Sequence, residues 1–598
     1  MSEFRFLVSR ATAGSVLSAA MLCVVWDAGR LHAQEMLPEF LMMSDPAFDI
    51  PAGAAVLPQS AIRLWRETLS RPEPDLVKAA ADSIAAAHSD GFSGLADCVP
   101  ELHAALMTPD LHPDAAYAIC RALIVLESRE SAELLCSFSQ REGTLVRQLI
   151  EPALASWDVL AMRDEWRNRL ADEQALRREL LLACAGAARV KDAAAVPLLV
   201  QIAITRTRPA DVRLAAARAA GEIAASGLEP DATRLTGNSS RGLSDDLCAL
   251  FLLRHHTSAG AQTQFLQFAV HRNPTVAAPA LRALLEIDAS LVLPLAATAL
   301  ENDDPKVRQC GLDAYIALPT AERIPLIAAV LDDPHPDVRT SARRALDRFG
   351  ESGMFDGPVR EAGMHALSGE SWRSQEQAAL LLAARDHQPA AARLVELLES
   401  DRPEVMIAAA WALRLLAVPQ TADGILDRAS RMTEHVLAAP AADRRPGSDA
   451  QLGHLFDALV VLGDSRAVPV MRRHVRRDLT RETSRSAAIW GMGRLLEDQP
   501  DEELAAALLG RIQDINSIPP ELELVRRMSA VTIGRMNAVS RLKDLEAALD
   551  QYMVANQVDY ALAWAIRRMH GVVPPELPPT IEIRRGWPIE PAPSREDR

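Results

Sequence analysis

Arg472, Arg473, Arg476 and Arg477 stand together, with His474 among them and Arg481 and Arg485 just beyond. On a single helix, spacings of one and four place such cations on one face. A cationic stripe of that kind can receive an acidic protein partner or a phosphorylated or sulfated glycan. The competing reading is a solvated helix face balanced by nearby acids. Trp587 is a second candidate. In the string Arg584-Arg585-Gly586-Trp587-Pro588 an aromatic stands inside a proline-rich, charged tail. Such a segment serves as a docking peptide or folds back to cover the last structural repeat. Cys98 and Cys120 fall level across a helical hairpin turning near Pro109, which allows a disulfide. Two loose thiols in an apolar core are the commoner arrangement. His255-His256 is an adjacent histidine pair with no acidic residue beside it in sequence, which reads as an exposed helix end rather than a metal site.

Other chemistry is harder to place. The seven cysteines form no CxxC or CxxCH, and the chain carries no GxSxG, no phosphate-binding Walker loop and no GxGxxG after a strand. The expectation is therefore no cofactor, no metal and no catalytic residue. The formal net charge of -16 argues against nucleic acid, whose binding needs a basic footprint.

The elements that must position these residues are written in a repeat. Val276, Ala280, Ala283 and Ile287 recur as Val307, Gly311, Ala314 and Leu318, and again as Val338, Ala342, Ala345 and Phe349. Offsets of 0, 4, 7 and 11 put four residues on one helix face. The small middle residues let a neighbouring helix come close. The same pattern starts at Val77, Leu176, Val212, Val405, Ser484, Val525 and Val558. A fixed period of this size means stacked two-helix units, about 15 pairs in all. Aromatics are only 4% of the chain, and alanine and leucine carry the apolar load. The fold class is all-α, an α-solenoid. Asp303-Asp304-Pro305 and Asp332-Asp333-Pro334 mark turns, since aspartate caps a helix and proline fits its first turn. The stretch from Ala438 to Ser448 reads as a flexible insertion. Trp411 and Trp490 fall within the small-residue core pattern.

The ends differ. Residues 1–33 have the three-part pattern of a secretory signal: Arg5 and Arg10, an apolar stretch from Ala11 to Trp26, and Leu31-His32-Ala33 as the cleavage site. Residues 34–60 are a proline-bearing irregular arm, residues 61–571 the solenoid, and residues 572–598 a proline-rich tail that disfavours helix. The expected address is export to the periplasm or beyond, with no membrane span after signal cleavage.

The strings DDPKVRQCGLDAYIAL and DDPHPDVRTSARRALDRFG resemble HEAT repeats, in particular the bacterial HEAT-like class named after phycobilisome lyases. The resemblance implies that Asp304 and Arg308, Asp337 and Arg339, and Asp211 and Arg213 tie neighbouring repeats together. It also implies a curved groove walled by the second helix of each pair. Iron-holding HEAT-like hydroxylases carry His-Glu dipeptides, and this chain has none. Taken together, the sequence reads as an exported, non-enzymatic scaffold that presents a groove to a protein or peptide, an acidic one being among the options. The alternative is a lyase-like or protein-modifying enzyme built on the same repeats.

Overall fold

The computed structural model describes residues 40–48, 57, 59–141, 143–237, 241–549, 556–570 and 587–589. Among them about 31 α-helices follow one another, joined by short turns, with no strand. The signal-like segment, most of the arm and most of the tail lie outside the described residues. The chain forms two compact units. An N-terminal unit holds residues 52–345 and 580–598, and a C-terminal unit holds residues 346–579 and 1–51.

Within the N-terminal unit the helical pattern does what its spacing dictates. Val276 and Ala280, Val307 and Ala314, and Val338, Ala342 and Ala345 are all buried. Helix Pro305–Ala317 starts on Asp304, whose carboxylate accepts the Lys306 N–H at 2.8 Å, with Pro305 in the first turn. A β-carbon at Gly311 would come within 2.7 Å of the Ala296 carbonyl oxygen, so glycine is what lets helix Leu293–Leu300 press against its partner.

The repeats are joined by an arginine at the fourth position of the second helix. Arg308 forks onto Asp333 of the next turn at 2.7 and 2.8 Å and also donates to the carbonyls of Asn302 and Asp303. Arg213 reaches Asp245 of the following repeat at 2.6 Å. The partner is thus the next repeat's acid. Asp304 caps its own helix, and Asp211 receives Arg177 from the repeat before.

The chain's last described residues belong to this unit. Trp587 stands edge-on to Trp65 and Phe92, with ring centroids 5.3 and 5.6 Å away. Trp65 donates its indole N–H to the Ile589 carbonyl, and the Ile589 N–H donates to Ser83. The described tail residues 587–589 therefore cover the first helices, Gln59–Leu69 and Pro74–Ser89, rather than the last repeat. The aromatic acceptors are there, in Trp65 and Phe92. Trp587→Ala is expected to uncover Trp65, seen as a several-fold rise in acrylamide quenching, at a cost of about 1–3 kcal/mol.

In the C-terminal unit the second helices Pro403–Leu416, Ser448–Val461, Glu482–Leu495, Glu523–Arg535 and Gln557–His570 lie side by side as one layer. The first helices, among them Ala422–Ala438, Glu502–Ile512 and Leu542–Leu549, back that layer on its other side. One apolar core runs between them from Leu367 to Ile566. Trp490 is buried there, while Trp411 is only partly covered. The stretch expected to be a flexible insertion is pinned instead. Arg444 binds Asp478 at 2.9 Å and Thr480 at 2.6 Å, Arg445 binds Asp401 at 3.1 Å, and Gly447 takes the left-handed turn that starts the next helix. Its arginines Arg444 and Arg445 are the clamps.

Candidate functional site: an occupied groove on the C-terminal unit

Helices in a solenoid ordinarily bury one face. Ser448–Val461 and Glu482–Leu495 are buried nearly all round, and their second buried face carries His454, Asp457 and Trp490. What covers that face is the chain's own arm. Phe40–Phe48 lies against the second-helix layer, with Leu41–Ser44 wound into one helical turn.

Phe40, Leu41, Met42, Asp45 and Phe48 each make a specific contact. Phe40 stacks on His454 with ring centroids 4.1 Å apart and planes 13° from parallel. The seat exists because residue 453 is glycine, since a β-carbon there would stand 2.6 Å from the Phe40 ring. The Leu41 N–H donates to Asp457 at 3.0 Å, and Asp457 also receives Arg414 at 3.2 Å. Met42 is 1% exposed and joins the core. Trp490 donates its indole N–H to the Asp45 carbonyl at 2.9 Å, and Arg535 donates to the Asp45 carboxylate at 2.5 Å. Arg494 stands 3.9 Å from the same carboxylate. Arg527 reaches the Met43 carbonyl at 3.4 Å and lies over the Phe48 ring at 4.8 Å.

Burial sets the electrostatics. It pushes the Asp457 carboxyl up to about 6, against the opposing pull of the Leu41 N–H and Arg414. Burial, with Arg414 nearby, pushes His454 down to about 3, so the ring that meets Phe40 is neutral near pH 7. Burial also lowers Arg535 and Arg527 from the usual guanidinium range. The arrangement binds main-chain N–H and C=O groups, an aromatic, a methionine and a carboxylate at fixed spacing. That is the chemistry of peptide recognition.

The residues expected from sequence lie elsewhere. Arg472 through Arg485 do not share one helix. Helix Val468–Arg472 ends in a 3-10 turn at Arg473–Val475, and the chain turns again before helix Glu482–Leu495. Arg472 pairs with Asp501, and Arg477 binds Asp514 at 2.9 Å. Arg473 stands 3.9 Å from Glu434, and Arg476 is exposed. Arg485 is fully buried and forks onto buried Glu521 at 2.9 and 2.8 Å. It holds the same fourth position as Arg308 and Arg213. The Ser484 pattern start had already placed it there.

His474 is fully buried between Arg481 and Thr433, each 2.9 Å away. Arginine can only donate, so Nδ1 accepts from Arg481 and the proton sits on Nε2. Burial, with Arg481, Arg473 and Arg485 close by, pushes this histidine down to about 3. Between that value and about 6.5 the unfolded chain takes up a proton that the folded chain refuses, so this contribution to stability falls as pH falls through the window. Melting at pH 7.5 and pH 5 should show a steeper loss in the wild type than in His474→Gln.

The structure holds Cys98 and Cys120 as two buried thiols, not a bridge. The Cys98 thiol is pushed up to about 11 by burial, which suits an inert core residue. His255 and His256 do meet acids, from the preceding repeat: Glu222 at 3.3 Å and Glu229 at 3.1 Å. His256 is buried, not an exposed helix end. No cluster of three or more metal-ligating side chains occurs among the described residues. No described helix is long and apolar enough to cross a membrane.

A layer of parallel second helices backed by antiparallel first helices defines an α-solenoid. Residues 263–347 match the HEAT repeats family, so that stretch of the solenoid carries HEAT repeats. No curated protein matches it in sequence. Among solved structures, Kap95p, from work on its binding to RanGDP, is similar over 85% of this chain and 72% of its own, at 13% identity and a TM-score of 0.51. That likeness is one of fold. A second structure of yeast importin-beta (Kap95p) gives 11% identity over the same shares and a TM-score of 0.47. The complex of CpcE and CpcF of phycocyanin lyase from a Nostoc species gives 19% identity, 42% of this chain, 95% of its own and a TM-score of 0.26.

Proposed function

We propose that this protein is an exported, non-enzymatic binding scaffold that grips a short peptide segment of a protein partner in the groove of its C-terminal unit. The observation that carries the reading is the arm itself. A segment 416 to 445 residues in sequence from its seats at Asp457 and Trp490 is held by side-chain stacking, main-chain hydrogen bonds and a paired carboxylate. HEAT-type solenoids offer long surfaces suited to such ligands. The signal-like residues 1–33 support the export part of the reading.

Two measurements test it. The chain expressed with its N-terminus in a Gram-negative host should be recovered from the periplasm beginning near Gln34. Recovery of an intact Met1 in the cytoplasm would refute export. A photo-crosslinking residue at Thr483, beside the Phe40 seat, should label a partner more strongly when the arm is unseated by Phe40→Ser, Met42→Ser and Asp45→Asn. Equal labelling with the arm seated and unseated would refute binding at the groove.

A further inference from the structure

The arm leaves its groove incompletely paired. Asp457 Oδ1, His454 Nδ1, Arg527 Nε and Arg535 Nη1 are buried side-chain atoms with no hydrogen-bond partner. Their residues are between 0% and 7% exposed, so bulk solvent does not serve them. A buried polar atom left unmade costs more than a made one returns. These four lie on the one layer that the arm crosses.

Asp457 Oδ1 calls for a donor, whereas the two arginine atoms near the Met43–Asp45 turn call for acceptors. Both are guanidinium donors, best met by carboxylates. The arm brings a single carboxylate to them, Asp45, shared by Arg535 and Arg494. Arg527 receives from the arm only the Met43 carbonyl and the face of Phe48. Met43 and Ser44, in the turn between the Met42 and Asp45 seats, are exposed and uncharged. Arg527 also donates to Gln557 at 2.8 Å, and Glu523 and Glu497 act on Arg527 and Arg535, yet Arg527 Nε and Arg535 Nη1 still lack an acceptor.

We propose that the groove's ligand is an acidic segment of a partner protein that keeps the arm's frame and adds carboxylates in the turn facing Arg527 and Arg535. The frame is an aromatic, a methionine two residues on, and an aspartate three residues further. The arm is then a tethered, less complementary occupant, favoured by high effective concentration and displaced by the better match. This inference rests on reading the groove as a peptide receptor.

The test is a fluorescence anisotropy titration on the full chain with the arm unseated by Phe40→Ser, Met42→Ser and Asp45→Asn. One labelled peptide carries residues 38–48 as they stand. The other carries Met43→Glu and Ser44→Glu. The acidic peptide should bind about tenfold tighter. Its advantage should shrink as salt is raised from about 50 to about 300 mM, and it should vanish in an added Arg527→Met. Equal or weaker binding of the acidic peptide, with the plain peptide still bound, would overturn this inference and leave the receptor reading intact. Failure of both peptides would overturn the receptor reading as well. Should the unseated chain not fold, the wild-type chain serves. Acidic peptide in excess should release the arm, seen as a new protease cut between Phe40 and Leu41, and no release would overturn the inference.

Discussion

Replacing Arg485 by leucine is expected to destabilise the C-terminal unit by about 3–5 kcal/mol, a drop in melting temperature of roughly 10 °C for a unit of this size. The side chain is fully buried, its fork meets Glu521, and its remaining donors hold the carbonyls of His474 and Asp478. Removing it strands the Glu521 carboxylate inside the repeat junction, with Arg511 at 3.3 Å as its remaining cation and the Leu522 N–H at 3.0 Å. An uncompensated buried charge is the expensive part, so the double variant Arg485→Leu with Glu521→Leu should recover more than half of the loss. Thermal melts of the two variants and the wild type check this. Equal melting of Arg485→Leu and the wild type would mean that the fork does not join the repeats.

Replacing Gly453 by alanine should favour the helix itself and cost the arm more. Mid-helix, alanine gains about 0.5–1 kcal/mol over glycine. Its β-carbon would meet the Phe40 ring at 2.6 Å and Thr483 Cγ2 at 3.0 Å. Thr483 can turn aside. Phe40 is held against His454 by a segment fixed at Asp457 and Trp490, so it must leave. With it go the burial of Met42, worth about 1.5–3 kcal/mol, and the paired carboxylate of Asp45. The expected outcome is a repeat array that still folds cooperatively but melts lower than wild type, since the arm's lost contribution exceeds the helix gain, while the arm is cut by protease at Phe40–Leu41 at least about tenfold faster, as local opening would allow. An arm that stays protected would show that Phe40 does not depend on the glycine.

The array was legible in the sequence because periodicity is local. Val307, Gly311 and Ala314 announce a helix face with no knowledge of what packs on it, and Asp304-Pro305 announces where that helix begins. The junctions were half legible. Arg308 and Arg213 could be named as architectural, but their partners Asp333 and Asp245 stand 25 and 32 residues away, and spacing does not say which acid an arginine will reach. Arg485 was misplaced among its arginine neighbours, because a run of like charges suggests a stripe only if one helix carries it. The turn through Arg476–Arg481 breaks that helix. The groove was invisible for a different reason. Its occupant lies more than 400 residues from its seats, as the Leu41–Asp457 and Asp45–Trp490 bonds show, and a proline-bearing arm carries no periodic signal. One trace was present. His454, Asp457 and Trp490 interrupt helix faces that a simple two-layer solenoid would leave to water.

The most direct test of the peptide-receptor account is the affinity of the groove for the arm presented in trans. A labelled peptide of residues 38–48 is titrated against three full-length chains: the wild type, the chain with Phe40→Ser, Met42→Ser and Asp45→Asn, and that chain with Arg535→Met added. The account predicts binding near 10 µM, about -7 kcal/mol, to the second chain, at least about tenfold weaker apparent binding to the wild type, whose own arm competes, and loss of binding in the third. Equal binding to all three, or none to the second while its repeats still melt cooperatively, would contradict it.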